Sequence, residues 1–239
     1  MTISNKSDLE FLENSPSRGT VTDFHKWVWA KHDKRMLMSM FYKMHPELNS
    51  SPAEYEISEK KVKAKMAHAK IQHAQLQFGE NFLKYFHIKK NNSSNWIPIY
   101  IDKHDENPNV LISPKLLVNG APLRGCPDLV FKNTVTNQVL IVENKVTHVP
   151  LKRISEEGYP NVRAQLWAYS WMSPWAGLDD CDVLMGATFW TPDLNDHVRT
   201  MAWKRSDCVI KRECEEWFEE YEGEILPNWR MNNLLQKVA

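Results

Sequence analysis

The sequence predicts an α/β layer architecture with a helical segment added in front. Three observations predict it. Two apolar runs, Leu129-Val-Phe and Val139-Leu-Ile-Val, are joined by a polar, turn-like stretch from Lys132 to Gln138, the pattern of a buried hairpin. A helical segment opens at Pro160, where helices favour proline in their first turn. Two further apolar runs, Val183 to Trp190 and Val198 to Lys204, lead to a closing helix.

A chain of 239 residues has room for one sizeable core, and 42% hydrophobic with 25% charged residues is ordinary for a globular protein. No apolar run approaches the roughly 20 residues of a membrane span. The first residues are polar and lack a signal peptide's apolar segment, so the expected location is cytoplasmic, with no membrane partner. Thirty basic residues balance thirty acidic ones, so a nucleic-acid surface would have to be a local patch. Cys126, Cys181, Cys208 and Cys214 form no Cys-x-x-Cys pair, and reduced thiols are the expectation.

In chain order, a leader ends at Ser15-Pro16-Ser17-Arg18-Gly19. Thr22-Asp23 then caps a helix running through Phe24, Trp27 and Val28 to Met44. Its lysines and Arg35 make it basic, and a solvated face accounts for them better than a phosphate contact. Residues 49–52 are a linker, dividing a leader and helical extension (1–52) from the main domain (53–239). A long helix is expected from about Ala53 to Phe86, its second half apolar at Ile71, Leu76, Phe78, Phe82, Leu83 and Phe86. Trp96 to Ile101 reads as a strand placed at an edge by Pro98. Leu111 to Val118 ends at Asn119-Gly120, a strong hairpin signal. The next strand is expected to start near Pro122 and to carry Asp128 through to Phe131. Val139 to Val146 is apolar on both faces, which implies a central, covered strand. The closing helix, about Asp207 to Tyr221, stacks Cys214, Trp217, Phe218 and Tyr221 at three-and-four spacing, and its other face is acidic. Seven glutamates between Glu213 and Glu224 would repel DNA, so this helix should face away from such a substrate.

The chemistry concentrates between Arg124 and Lys145. Residues two apart on a strand share a face, so Glu143 and Lys145 point the same way, and a hairpin would bring Asp128 beside them. Two carboxylates in an apolar setting repel unless a cation neutralises them. Magnesium suits such a pair, since it is often held by one or two carboxylates with waters completing its shell. A neighbouring lysine would stabilise an anionic phosphate or orient an attacking water. Gln165 and Tyr169, four apart on the helix after Pro160, project from one face. The bland alternative is an exposed hairpin with an ordinary salt bridge, and packing aromatics on the helix.

Pro127-Asp128, followed by Glu143-Asn144-Lys145 and then by Gln165-Leu-Trp-Ala-Tyr169, resembles the PD-(D/E)XK nuclease superfamily and its RecB-like exonuclease branch, over about residues 80 to 205. The resemblance implies a restriction-endonuclease-like core, a mixed central sheet flanked by helices, and a magnesium- or manganese-dependent DNase; RNA stays open. It implies Asp128 and Glu143 as metal ligands, with the Asn144 backbone carbonyl, and Lys145, Gln165 and Tyr169 at the catalytic centre. An acid on the first core helix often completes such sites. Glu80 is the candidate here, against the reading of a peripheral glutamate whose head reaches water. Lys152, Arg153 and Arg163 are expected to approach the nucleic acid. Asn144 departs from the apolar residue commoner at that position. Some relatives carry an iron–sulfur cluster, but Cys126 lies inside the core motif, so none is expected. The rival from another class is a non-catalytic nucleic-acid-binding or protein-interaction module that kept the fold.

Overall fold

In the computed structural model, the described residues are 19–32, 95–102, 109–147, 154–191 and 197–238, with individual residues between 66 and 88. The expected leader, the helix beyond His32, the 49–52 linker, Glu80, Lys152 and Arg153 lie outside them.

Helix α1 (Val21–His32) starts at a reciprocal cap two residues earlier than Thr22. The Thr20 hydroxyl accepts from the Asp23 N–H (3.1 Å), and the Asp23 carboxylate accepts from the Thr20 N–H (3.2 Å). This satisfies donors that a helix start leaves bare. Val21, Phe24 and Val28 are buried in the main core, where the Phe24 ring meets Trp167, Phe218 and Tyr221.

A five-stranded sheet follows, built from β1 (Trp96–Ile101), β4 (Leu129–Asn133), β5 (Val139–Val146), β6 (Val183–Trp190) and β7 (His197–Lys204), adjacent in that order. Pairing is antiparallel except between β5 and β6, which run parallel, so the sheet is mixed. A parallel pair needs a crossover, and α2 (Pro160–Ser170) supplies it. β1 is an edge strand, and its register shifts between Pro98 and Tyr100, where the proline cannot donate to a ladder. β5 is central. Val139 and Ile141 face the larger core with α1, α2 and α3 (Cys208–Val238), while Leu140 and Val142 face Phe82, Leu83 and Phe86 on the other side.

One expected strand is two. β2 (Leu111–Val118) and β3 (Ala121–Gly125) form a separate two-stranded sheet around Asn119-Gly120, both with positive φ (53° and 77°). That is the left-handed pair a two-residue hairpin turn requires. Cys126-Pro127-Asp128 then carries the chain across to β4. Proline cannot donate to a ladder, so the strand ends there and a new one begins in the other sheet.

Arg205, after β7, ties the crossover down. Its buried guanidinium donates to the carbonyls of Ser170 (2.7 Å) and Leu178 and to the Asp180 carboxylate (2.9 Å), and lies over the Trp171 ring. Ser170 ends α2, so a cation sits where the helix dipole is negative. Among the described residues, no helix is long and apolar enough to cross a membrane.

Candidate active site

The β4–β5 register places the acids. Leu129 pairs with Val142 at the end of the ladder, and Asp128, the residue before β4, meets β5 at the Asn144 peptide next to Glu143. Both residues are 4% exposed. The Asp128 carboxylate accepts the backbone N–H of Asn144 at 2.7 Å. The Glu143 Oε1 accepts from Lys145 Nζ (2.8 Å) and from Gln165 Nε2 (2.9 Å). Lys145 Nζ also donates to Gln165 Oε1 (2.7 Å), and Gln165 Nε2 reaches the Tyr169 hydroxyl at 3.2 Å. Strand alternation on β5 and four-residue spacing on α2 thus link Glu143, Lys145, Gln165 and Tyr169 into one polar cluster, with Asp128 on the adjoining Asn144 peptide. Lys145 is its open end, with a side chain 23% exposed.

Tyr169 is enclosed. Burial first, then the Glu143 charge, raises its phenol well above the ordinary range, so it stays protonated and neutral. Its ring lies against Gly125 of β3: a Cβ on Gly125 would stand 2.7 Å from Tyr169 Cε1 and 2.8 Å from Val21 Cγ2. The glycine of Arg124-Gly125-Cys126 is there for close approach rather than for its turn freedom.

Arg163 does not join the cluster. Its guanidinium donates to the Glu157 carbonyl (3.0 Å) and pairs with Glu213 of α3 (2.9 Å). Two residues on a helix are about 200° apart, so Gln165 faces the strands while Arg163 faces α3. The same geometry sets Glu213 of the acidic helix α3 on the Arg163 side of α2, while Gln165 turns to Glu143.

Asn144 is completely buried on the opposite face of β5, and its amide is not stranded there. Its Oδ1 accepts from Gln75 Nε2 and Thr188 Oγ1 (2.6 Å each), and its Nδ2 donates to Gln75 Oε1 (3.2 Å). Gln75 and Thr188 escaped the sequence reading. The available signal was that Thr188, like Asn144, is a polar residue inside an otherwise apolar strand run.

His25 also escaped it. From α1 its Nδ1 meets the Asn161 carbonyl at 3.0 Å, one helical turn before Gln165. Burial first, then the Lys145 charge, lowers its pKa from 6.5 to about 3. A base with a depressed folded value binds its proton more readily in the unfolded chain. Stability should therefore fall as pH drops from about 6.5 toward 3, by at most about 1.4 kcal/mol per pH unit. Urea unfolding of wild type and His25→Gln at neutral and mildly acid pH checks this. The acid-induced loss should be smaller in the variant, and equal losses would refute the assignment.

Among the described residues, no group of three or more His, Cys, Asp or Glu side chains is placed to hold a metal ion. Asp128 and Glu143 are a pair of hard oxygen donors, which suits magnesium or manganese with further ligands from water. No protein-family model matches the chain. No curated protein matches it. The crystal structure of SSO0001 is similar at 16% identity over 90% of this chain and 82% of its own, with a TM-score of 0.35, a likeness too slight to carry an argument.

Proposed function

We propose that this protein is a metal-dependent nuclease of the PD-(D/E)XK type, most simply a DNase. The observation that carries the reading is the Asp128 carboxylate on the Asn144 N–H at 2.7 Å, flanked on β5 by Glu143 and by Lys145, whose Nζ is 2.8 Å from Glu143. The order of helical residues before Phe86, strands β1, β4 and β5, crossover α2 and parallel strand β6 supports a restriction-endonuclease-like core.

Asp128 and Glu143 would hold magnesium or manganese, which when bound polarises a phosphoryl oxygen and acidifies a nearby water. Lys145 presents its ammonium at the open end of the cluster, where it would hold the attacking water or the charge developing on phosphorus. Gln165 fixes Lys145 and Glu143 through opposite ends of one amide. Tyr169, kept neutral, fixes Gln165 from behind. The surrounding core keeps bulk water from the acids.

The test is cleavage of linear and circular DNA, single- and double-stranded, in magnesium, manganese or EDTA. Cleavage should need a divalent ion, and Asp128→Asn should lose both cleavage and manganese uptake. A wild-type protein that cuts no nucleic acid under any of these conditions would refute the reading and favour the non-catalytic module.

A further inference from the structure

We infer that Gln75, Asn144 and Thr188 form a positioning network that aims Asp128 from the opposite side of the sheet. Asn144 lies between Glu143 and Lys145 on β5, so its side chain points away from the acids, into the layer below. Among the described residues, that layer holds the apolar cluster of Leu140, Val142, Phe82, Leu83 and Phe86. An apolar residue there would avoid burying an amide, and replacing both members of a buried hydrogen-bonded pair by apolar groups is often nearly neutral. The amide is instead held at three points by Gln75 and Thr188, which are themselves 1% and 0% exposed. Thr188 sits beside Asn144 in the parallel β5–β6 register and accepts from Trp190 Nε1 at 2.8 Å.

The link to the other face is the Asn144 peptide itself. Its N–H donates to Asp128 Oδ2 at 2.7 Å. Fixing the side chain at three points restrains rotation of that residue about its backbone, and so restrains the direction of the N–H that holds the carboxylate. The geometry stands independently of the proposed chemistry. Only the consequence for metal binding rests on the nuclease reading.

Thr188→Val removes the hydroxyl at nearly constant shape, and Thr188→Ser keeps it. Manganese affinity, measured by electron paramagnetic resonance without nucleic acid, should fall about 10–100-fold in the valine variant. The serine variant should stay close to wild type. The Asn144 amide proton, shifted downfield by its bond to the carboxylate, should move upfield in Thr188→Val. Gln75→Leu should give the same two changes and serves where Thr188→Val does not fold. A variant that folds with wild-type manganese affinity and an unmoved amide resonance overturns the proposal. So does wild-type manganese affinity in the triple apolar variant Gln75→Leu, Asn144→Leu, Thr188→Val, since the network would then be packing alone. If the wild type takes up no manganese, the nuclease reading fails, and the amide resonance still decides whether the network aims Asp128.

Discussion

Replacing Lys145 with alanine should lower the cleavage rate by about 10²–10³-fold, the usual loss when one preorganised donor to developing charge is removed. The ammonium is the exposed end of the cluster and the group best placed to meet a phosphate. Its own contacts, to Glu143 Oε1 at 2.8 Å and Gln165 Oε1 at 2.7 Å, hold it ready rather than dispersed in solvent. The fold should survive. Glu143 keeps the Gln165 amide at 2.9 Å after the lysine is gone, and the acids remain available to a divalent ion. Circular dichroism and manganese titration of the variant should therefore stay near wild type while kcat falls. Lys145→Arg should not restore the rate, because a planar fork cannot occupy the place of a compact ammonium between two oxygens. Undiminished cleavage by Lys145→Ala would sink the mechanism.

The largest loss of stability should come from Arg205, which makes none of the hydrogen bonds of the acidic cluster. Arg205→Met keeps much of the volume but leaves the Ser170 and Leu178 carbonyls without their donor and Asp180 without one of its two cations. It also removes the cation from the face of Trp171. Breaking a buried, hydrogen-bonded charge in this way costs about 3–5 kcal/mol. For a chain of this size each kcal/mol is about 2–4 °C in Tm, so a fall of roughly 6–20 °C is expected in a thermal melt. A change within a degree or two would mean that water or neighbouring groups replace the guanidinium at those carbonyls.

The sequence was most legible where one local rule decided the outcome. β5 runs from Val139 to Val146 as the doubly apolar run predicts, and α2 begins at Pro160 as predicted. Asn119-Gly120 turns as its residue types demand. The expected strand through Asp128 is divided because Pro127, which cannot donate to a ladder, outweighs the apolar residues around it. The added helix α1 packs Phe24 on Trp167 and Phe218, which its apolar stripe could not foretell, since a stripe does not say which surface it will cover.

The site divides the same way. Periods of two on a strand and four on a helix are properties of the backbone. They put Glu143 beside Lys145 and Gln165 beside Tyr169 before any packing is known. Partnership across elements is decided only when the layers close. His25 meets Asn161 across 136 positions, Gln75 meets Asn144 across 69, and Arg163 turns to Glu213 instead of to the acids. No spacing rule reaches that far. A buried polar group must find its partner among whatever the other layers bring within hydrogen-bond reach, and tertiary packing alone settles which partner that is.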